Sequence, residues 1–432
     1  MSDRWDRAQV LGLAPDAAAA KAAGAAARPA AWSGAGCDGE AVWGECQGSG
    51  KGAYRTCADL AGPAFRCSCP SRKFPCKHAL ALLLLWSDGA VGPGPRPGWA
   101  AEWVEERRER AGRSRERRAA TAAKARDPKT AERRERRVGD GLAELDQWLR
   151  DQVAHGLAQA EKAPYRLWDD AARRLVDAQA GGLSGPVRGL AAVPRRPGWP
   201  DRLLEEYALL RLLVRAYQRR SELPPGLRDT VRARIGFTVP QDDVLSGGER
   251  VRDLWSVTGA RDVPQEQLTT RRVWLRGRRT GRPALVLSFA PPGGTLDASL
   301  AVGTEVDAEL AFYPGAQPLR ALVAGRHGPA RPGTPAGTGV RGFLGEHAEA
   351  LARDPWLDRW PATLAAVRLA RAEGGGLHAV DDAGDALPLR LDDPWRLLAV
   401  SGGGPVALSG EWTARGLRPL AAWHADEGAV TL

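Results

Sequence analysis

The stretch from Phe65 to Trp86 reads FRCSCPSRKFPCKHALALLLLW, and it decides the local fold more strongly than any other part of the chain. Within 12 residues it holds four side chains of the types that bind soft or borderline metal ions: Cys67, Cys69, Cys76 and His78. Four such ligands complete a closed tetrahedral zinc site. The sequence therefore predicts one structural Zn²⁺ held by these four residues.

The spacing of these residues lets their side chains converge on one ion. Two cysteines separated by a single residue project to the same side of an extended segment. The intervening residues 70–75, PSRKFP, have a proline at each end and favour a turn that folds the chain back. Cys76 and His78 then fall at the start of an apolar helix predicted over residues 79–86. Buried free cysteines with a core histidine are one alternative; a disulfide fits less well, because C-x-C cysteines rarely bridge each other.

The pattern C-x-C-x6-C-x-H before a short apolar helix resembles the SWIM zinc finger. That finger occurs in bacterial proteins, plant transposase-derived factors and some chromatin-associated proteins. The flanking residues agree with it: Ser-Cys-Pro at 68–70, Pro-Cys-Lys-His at 75–78 and a strand-like segment at Tyr54–Thr56. The resemblance covers about residues 40–90 and implies a small ββα zinc unit that binds DNA or protein partners. The rest of the chain is similar to bacterial SWIM-finger proteins, but this similarity implies no particular activity.

The composition describes an ordinary globular chain with surplus positive charge. Its 432 residues suffice for roughly two to four domains, with 43% apolar and 26% charged residues. The net charge of +10 and a pI near 9.7 favour polyanionic partners. Only seven of the 62 basic residues are lysines, and the heavy use of Ala, Gly, Pro and Arg is typical of a high-GC genome. Part of the arginine content therefore reflects codon usage rather than ligand recognition.

The sequence predicts a cytoplasmic protein. The longest apolar run, residues 79–86, is too short to span a bilayer. The N-terminus lacks the positively charged start and the apolar stretch of a signal peptide. Thiols stay reduced in the cytoplasm, where clustered cysteines are expected to bind metal rather than to form disulfides.

The hydrophobic periodicity and the Gly/Pro-rich breaks between segments predict an α+β chain. It has a small ββα zinc-finger unit near the N-terminus, a central helical bundle and a C-terminal antiparallel β-rich region. The strands of that last region are predicted to form a sheet or a small barrel. Six segments follow from this reading: an N-terminal helical segment at 1–36, a SWIM-type zinc finger at 37–90, a Gly/Pro linker and basic Arg/Glu-rich helix or arm at 91–137, a helical domain at 138–238, a β-rich domain at 239–330 and a C-terminal α+β region at 331–432.

Shorter elements are predicted inside these segments. The finger should contain a hairpin, with strands at 42–43 and 53–60 around a glycine-rich turn at 48–52. Strand patterns recur in the C-terminal half at 273–275, 284–289, 305–312, 321–323, 378–400 and 406–422. Helical patterns, with Asp16 and Asp201 as N-caps, occur at 3–13, 17–27, 167–176, 203–217 and 341–371. Three tryptophans on helical faces are predicted to anchor the helical core: Trp148, Trp168 and Trp199.

Residues 104–137 form the most charged stretch, with 14 basic and 7 acidic residues and hence a net charge of +7. Arg, Glu and Ala favour helix, and pairs such as Glu106–Arg110 recur at helical neighbour spacing. A solvated helix or a disordered arm explains this pattern. The functional alternative is an arm that neutralises nucleic-acid phosphates, without base stacking because no aromatic residue interrupts the charges.

No catalytic constellation is recognisable, so the chain is predicted not to be an enzyme. The acid pairs Asp381–Asp382 and Asp392–Asp393 lie beside turn residues, as is typical of solvated loop carboxylates. The remaining cysteines match no finger spacing and are predicted to be isolated, partly buried thiols: Cys37, Cys46 and Cys57.

The function predicted from the sequence is a zinc-binding, non-catalytic module that binds DNA or RNA. The arm at 104–137 and four basic residues around the metal ligands would contact the phosphates: Arg66, Arg72, Lys73 and Lys77. The alternative is a protein–protein interaction scaffold or adaptor for an ATPase-type partner, since neither half of the chain shows chemistry of its own.

Overall fold

A computed structural model shows four folded units in chain order: a zinc-finger unit, a helical bundle, a β-barrel and a C-terminal β-sheet. The structure describes residues 5, 7–14, 17–47, 52–60, 64–71, 75–265, 268–291, 296–372, 375–424 and 428–432. This architecture is the predicted α+β class, with helices concentrated in the middle and antiparallel strands towards the C-terminus.

The N-terminal unit is a four-stranded antiparallel sheet with helices on both faces. Its elements are α1 (Arg7–Gly12), α2 (Ala17–Ala26), β1 (Trp32–Cys37), β2 (Ala41–Gln47), β3 (Ala53–Asp59), β4 (Ala64–Cys67) and α3 (Lys77–Ser87). The strand order is β1-β2-β3-β4. Strands β2 and β3 are the predicted hairpin, and α1 and α2 are the predicted N-terminal helices. Asp16 and residues 48–51 of the predicted turn lie outside the described residues.

Strand β1 lies at the end of the segment 1–36 that the sequence predicts to be helical. It reads WSGAGC, and small residues of this kind have low strand propensity. A Cβ at Gly36 would lie 2.9 Å from Cζ2 of Trp43 on the neighbouring strand, which is fully buried. The small residues of β1 therefore make room for the indole of Trp43, a reason that local periodicity does not reveal.

The two faces of this sheet are covered by different helices. Helix α3 packs on β2, β3 and β4, and α1 and α2 pack against α3. Every residue of α3 from His78 to Trp86 is buried, which explains why this helix is apolar on all sides. On the opposite face, Trp43 and Cys57 pack against Ala100 and Val104 of the following helix.

Residues 98–235 fold into seven α-helices: α4 (Gly98–Arg126), α5 (Pro128–Ala154), α6 (Gln159–Lys162), α7 (Tyr165–Asp177), α8 (Ser184–Gly189), α9 (Trp199–Gln218) and α10 (Pro225–Ile235). The backbone of the arginine-rich arm is thus helical, which is one of the two predicted alternatives, a solvated helix or a disordered arm. It is divided at Asp127, whose carboxylate accepts a hydrogen bond from the backbone N–H of Thr130 (3.0 Å) and caps α5. None of the helices within the described ranges is both long and apolar enough to cross a membrane.

The core of the helical bundle is built from α5, α7, α9 and α10. Trp168 is buried at its centre, the ring of Trp148 lies 5.7 Å from it between centroids, and Trp199 packs at the margin. The prediction that these tryptophans anchor the core is confirmed for Trp168, whereas Trp148 and Trp199 are partly buried and pack against the core. Asp201 does not cap α9, because the helix starts two residues earlier with Gly198 at the N-cap and a proline in the first turn.

Residues 241–332 contain α11 (Gln241–Gly247), β5 (Glu249–Pro264), β6 (Thr269–Gly277), β7 (Pro283–Ala290), β8 (Thr304–Phe312), β9 (Arg320–Arg326) and β10 (Arg331–Pro332). The sheet closes on itself, because β5 pairs with both β6 and β8, and β9 pairs with both β7 and β8. The short β10 adds to β8. Of the predicted alternatives, sheet or small barrel, the structure shows a closed five-stranded barrel.

Strand β5 closes the barrel, although the sequence pattern does not reveal it. Its first half pairs with β8 and its second half with β6. The register shifts between Val257 and Gly259, where a Cβ would lie 2.8 Å from Leu420 of the C-terminal sheet. The glycine therefore lets the strand bend and lets the neighbouring sheet approach closely.

The C-terminal unit contains α12 (Val340–Arg353), β11 (Trp360–Arg371), β12 (Leu377–Val380), β13 (Ala386–Pro388), α13 (Trp395–Ser401), β14 (Val406–Thr413), β15 (Gly416–His424) and β16 (Gly428–Thr431). Its sheet has the order β13-β12-β11-β14-β15-β16. The helix predicted at 341–371 is wrong beyond Arg353, because residues 360–371 form β11. Alanine favours helix there, but β11 is an interior strand, and pairing with β12 and β14 overrides that preference.

The β pattern predicted at 378–400 is only partly correct. Strands β12 and β13 lie within it, but its end is the helix α13. The carboxylate of Asp393 accepts a hydrogen bond from the backbone N–H of Trp395 (3.0 Å) and starts this helix. Leu397 and Val400 of this helix are buried in the core of the C-terminal unit. The apolar residues whose pattern suggested a strand therefore lie along one side of a short helix.

A buried carboxylate joins the barrel to the C-terminal sheet. Glu411 on β14 is only 2% exposed and accepts a hydrogen bond from the indole N–H of Trp274 on β6 (2.9 Å). The guanidinium groups of Arg261 and Arg272 lie 3.3 and 3.8 Å from its oxygens. Partial burial lowers the pKa of Arg272.

Candidate metal centre

The structure brings the four predicted metal ligands together at one end of the N-terminal sheet. Cys67 is the last residue of β4 and Cys69 follows just beyond it, while Cys76 is the N-cap of α3 and His78 its second residue. The three sulfur atoms and a ring nitrogen of the histidine all lie within 4.8 Å of one another. A strand end and a helix start therefore supply two ligands each.

The close approach of these four side chains is compatible with one tetrahedral zinc ion. Zinc bonds of about 2.3 Å to sulfur and about 2.0 Å to nitrogen place neighbouring ligand atoms about 3.5–3.8 Å apart. The Sγ of Cys67 and the Nδ1 of His78 are 3.8 Å apart. Cys76 and His78 are buried, and the other two ligands are half-buried. The four side chains fit one Zn²⁺, and because the protein supplies all four ligands the site is structural.

Because the three thiols lie so close together, deprotonation of one of them disfavours deprotonation of the others. The hydrogen bond with Cys76 is the main cause that lowers the pKa of Cys67 to about 3. The same contact, together with burial, raises the pKa of Cys76, and burial raises the pKa of Cys69. One thiolate is favoured and further ones are not, unless a divalent cation compensates their charge. Metal binding here therefore releases protons and weakens as the pH falls.

Two side chains of β3 support the ligands. The register of β3 and β4 places Thr56 opposite Cys67, and the threonine hydroxyl lies 3.2 Å from the cysteine sulfur, within reach to donate to a thiolate. The ring of Tyr54 lies 5.0 Å from the imidazole of His78 between centroids. Such contacts orient metal ligands. The sequence shows these residues only as part of a strand, because cross-strand register cannot be read from local spacing.

The other cysteines stay outside the metal cluster. Cys37, Cys46 and Cys57 are buried, and the metal-binding group found among the described residues contains none of them. Burial raises the pKa of Cys57 to about 12 and also raises the pKa of Cys46, so both thiols stay protonated near neutral pH. These thiols lie outside the cluster, as predicted, but they are buried more completely than the predicted partial burial.

The predicted basic residues around the finger divide into two groups. Arg66 and Lys77 are exposed, and neither forms an ion pair within the part of the chain that the structure describes. Arg72 and Lys73 lie outside the described residues. The two cations that can be placed both flank metal ligands.

The acidic pairs are loop carboxylates, as predicted. Asp381 accepts a hydrogen bond from the backbone N–H of Val340 (2.8 Å) and thereby holds the start of α12. Its other oxygen accepts from the backbone N–H groups of Ala383 and Asp385, both at 3.0 Å. These contacts order a turn and a helix start.

Two family models match the chain. The SWIM zinc finger model matches residues 66–86, which contain all four ligands. The model of the SWIM-associated four-helix bundle domain matches residues 133–235, where the helical bundle lies. Comparison with curated proteins and with solved structures found no match. The barrel and the C-terminal sheet lie outside both matched ranges.

Proposed function

We propose that this chain, which contains a SWIM zinc finger and a SWIM-associated four-helix bundle domain, binds nucleic acid and that its zinc site has a structural, non-catalytic role. The observation that carries this proposal is the position of Arg66 and Lys77. Each is exposed beside a metal ligand and has no carboxylate partner among the described residues. A phosphate group can therefore bind there without displacing an existing ion pair.

The zinc ion determines where these two cations lie. Arg66 directly precedes Cys67, and Lys77 lies between Cys76 and His78. Coordination of the ligands fixes the backbone on which both cations stand, so metal binding and the basic surface are coupled. Four protein ligands leave no open coordination position for a substrate, which supports a non-catalytic role.

The first half of α4 contacts the finger sheet through arginine side chains. In the first half, Arg107 forms an ion pair with Asp59 (3.1 Å) and Arg108 pairs with Glu40, so these arginines attach the helix to the finger sheet. The second half, residues 114–126, has five basic residues and one glutamate, a net charge of +4. The side chains of residues 114–126 lie outside those that the structure describes, so the contact of the arm is proposed from this net charge alone.

Salt-dependent binding tests this function. The full zinc-loaded chain would be titrated against a fluorescein-labelled 20-base-pair duplex, with anisotropy recorded between about 50 and 200 mM salt. For R66Q/K77Q, the slope of log affinity against log salt should fall by about 2, because each lost phosphate contact removes about 0.9 from the slope, and the loss of affinity should be largest at the lowest salt concentration.

A matched control removes the same charge elsewhere. In R166Q/R341Q the two arginines are 86% and 87% exposed and lie near carboxylates outside the finger. This variant should bind as the natural chain does. Equal slopes for R66Q/K77Q and the natural chain would contradict the finger contact. If neither duplex nor single strand binds at low salt, where the phosphate contribution is strongest, nucleic-acid binding is rejected, and an interaction scaffold for an ATPase-type partner becomes the hypothesis to test by co-purification.

A further inference from the structure

The five-stranded barrel has a connectivity associated with ligand binding. Its first strand, β5, pairs with the second, β6, and the fourth, β8, while the third, β7, runs parallel to the fifth, β9. This is the topology of the oligonucleotide/oligosaccharide-binding fold, whose ligands lie on the second and third strands, between the first–second and fourth–fifth loops. Topology alone does not establish a function, so the chemistry of that face decides.

The outer face of β7 is the open part of this surface. Ala284 and Val286 point into the barrel core, so the alternating residues Leu285, Leu287 and Phe289 point outward. Phe289 is 47% exposed, which is unusual for a phenylalanine on a strand. The outer face of β6 is instead covered by the C-terminal sheet, which contacts it through the buried carboxylate of β14. A ligand on this barrel would therefore lie along β7.

A cavity opens at the end of this face. It has a volume of about 630 Å³ and lies where the loop between β8 and β9, residues 313–319, meets α10 and the segment 354–359. Leu285 forms part of its wall, so the cavity continues the outer face of β7. Its volume is in the range of about 300–1,000 Å³ that is typical of small-molecule sites.

Flat cationic and aromatic groups line the cavity. The guanidinium of Arg320 lies over the ring of Tyr313, 4.2 Å from its centroid. Phe237 contacts two guanidinium groups, those of Arg134 at 4.4 Å and Arg232 at 4.1 Å. Arginine held flat on an aromatic ring can donate its edge N–H groups to an anion. One terminal nitrogen of Arg134 already donates to the backbone oxygen of Gly236 (2.9 Å), which leaves its other edge N–H groups for a ligand.

The charges of the lining suit a ligand with both anionic and hydrogen-bond-donating groups. Three of the lining arginines are neutralised by ion pairs: Arg232 with Glu135, Arg234 with Asp354, and Arg359 with Asp358. Arg134 and Arg320 form no ion pair within the described ranges, and the carboxylate of Asp229 is likewise unpaired there. A nucleotide carries phosphates that can bind the two arginines, and amino and hydroxyl groups that can donate to the carboxylate.

We propose that the outer face of β7 and the adjoining cavity bind single-stranded nucleic acid. Bases stack on Phe289 and against Leu285, and the backbone phosphates contact Arg134 and Arg320. Unpaired bases are required, because a duplex hides their faces from an aromatic side chain. The proposal goes beyond the function argued above, which places nucleic acid on the finger and on α4.

The test compares single-stranded and duplex binding of full-length variants. With fluorescein-labelled dT20, F289A should bind about tenfold more weakly, because an aromatic platform for one base is lost. R134Q/R320Q should lower the salt slope for dT20 by about 1.4, about 0.7 for each phosphate contact on a single strand. Neither variant should change binding of a 20-base-pair duplex. L344A, which truncates a 39%-exposed leucine on α12, and R166Q/R341Q are the matched controls.

The outcomes separate this site from the finger. Loss of dT20 affinity in F289A with no effect of R66Q/K77Q on either probe supports the barrel site and rejects the finger contact. Unchanged dT20 affinity and salt slope in both barrel variants overturns the barrel site, whatever the finger variant does. If R134Q/R320Q fails to fold, the dT20 affinity of F289A, which changes an exposed side chain, tests the barrel site by itself. Crosslinks from a 4-thiouridine oligonucleotide should map to residues 285–289 and 313–320; crosslinks confined to the finger or to α4 overturn the proposal.

Discussion

Stripping the zinc ion is expected to unfold the backbone around its four ligands, residues 64–78, while the helical bundle stays folded. A structural zinc ion contributes about 10–16 kcal/mol to the folding of a finger peptide. That is comparable with the stability of a whole domain, about 5–15 kcal/mol. The sheet should retain part of its structure, because α1, α2 and α3 share a hydrophobic core with it that extends beyond the predicted finger. Loss of order is therefore expected to centre on β4 and the start of α3.

Hydrogen exchange followed by mass spectrometry measures this effect segment by segment. Chelator treatment should abolish protection in peptides from 64–78 and leave peptides from 138–235 unchanged. C69A should show the same pattern without chelator, and it costs little packing because Cys69 is half-buried. C46A is the matched control, since it removes a buried thiol of the same unit that lies outside the ligand cluster. Unchanged protection at 64–78 after verified zinc removal would contradict the prediction.

Replacing the buried Glu411 by alanine should destabilise the contact between the barrel and the C-terminal sheet by about 3–5 kcal/mol. The substitution removes the acceptor of the Trp274 indole N–H and takes the Glu411 charge away from the half-buried guanidinium of Arg272. An uncompensated buried charge costs far more than a lost surface ion pair. E411Q keeps an oxygen for the indole but loses the negative charge, so it should fall between alanine and the natural residue.

Denaturant titration, with hydrogen exchange in β6 and β14 as the local readout, measures this loss. E349A is the control, because Glu349 on α12 is 75% exposed and its nearest arginine nitrogen is 3.8 Å away. Its effect should stay within about 0.5 kcal/mol. A loss of less than about 1 kcal/mol in E411A would show that the two β units do not depend on this carboxylate.

The metal site could be predicted from the sequence because its information is local. Cys67, Cys69, Cys76 and His78 occur within 12 residues, and the geometry of one turn and one helix start suffices to bring them together. The helices of the bundle could also be predicted, since their apolar residues repeat at helical spacing. The supporting positions of Thr56 and Tyr54 were not, because they depend on the pairing of β3 with β4.

The elements that escaped prediction owe their structure to distant partners. Strand β1 is built of small residues because Trp43 of the next strand needs the space. Strand β11 contains alanines that favour helix, but it is fixed by pairing with β12 and β14. Closure of the barrel depends on β9 pairing with both β7 and β8, which no local pattern encodes. Tertiary pairing overrides local preference in each case. The site proposed for single-stranded nucleic acid depends on the closure of the barrel.

The zinc content of the purified chain, measured by elemental analysis alongside C69A and C46A, is the most direct test of the central claim. Three thiolates and one imidazole that converge on one ion predict one zinc per chain in the natural protein and in C46A, and almost none in C69A. A natural chain without stoichiometric zinc, or a C69A variant that retains it in full, would contradict the account.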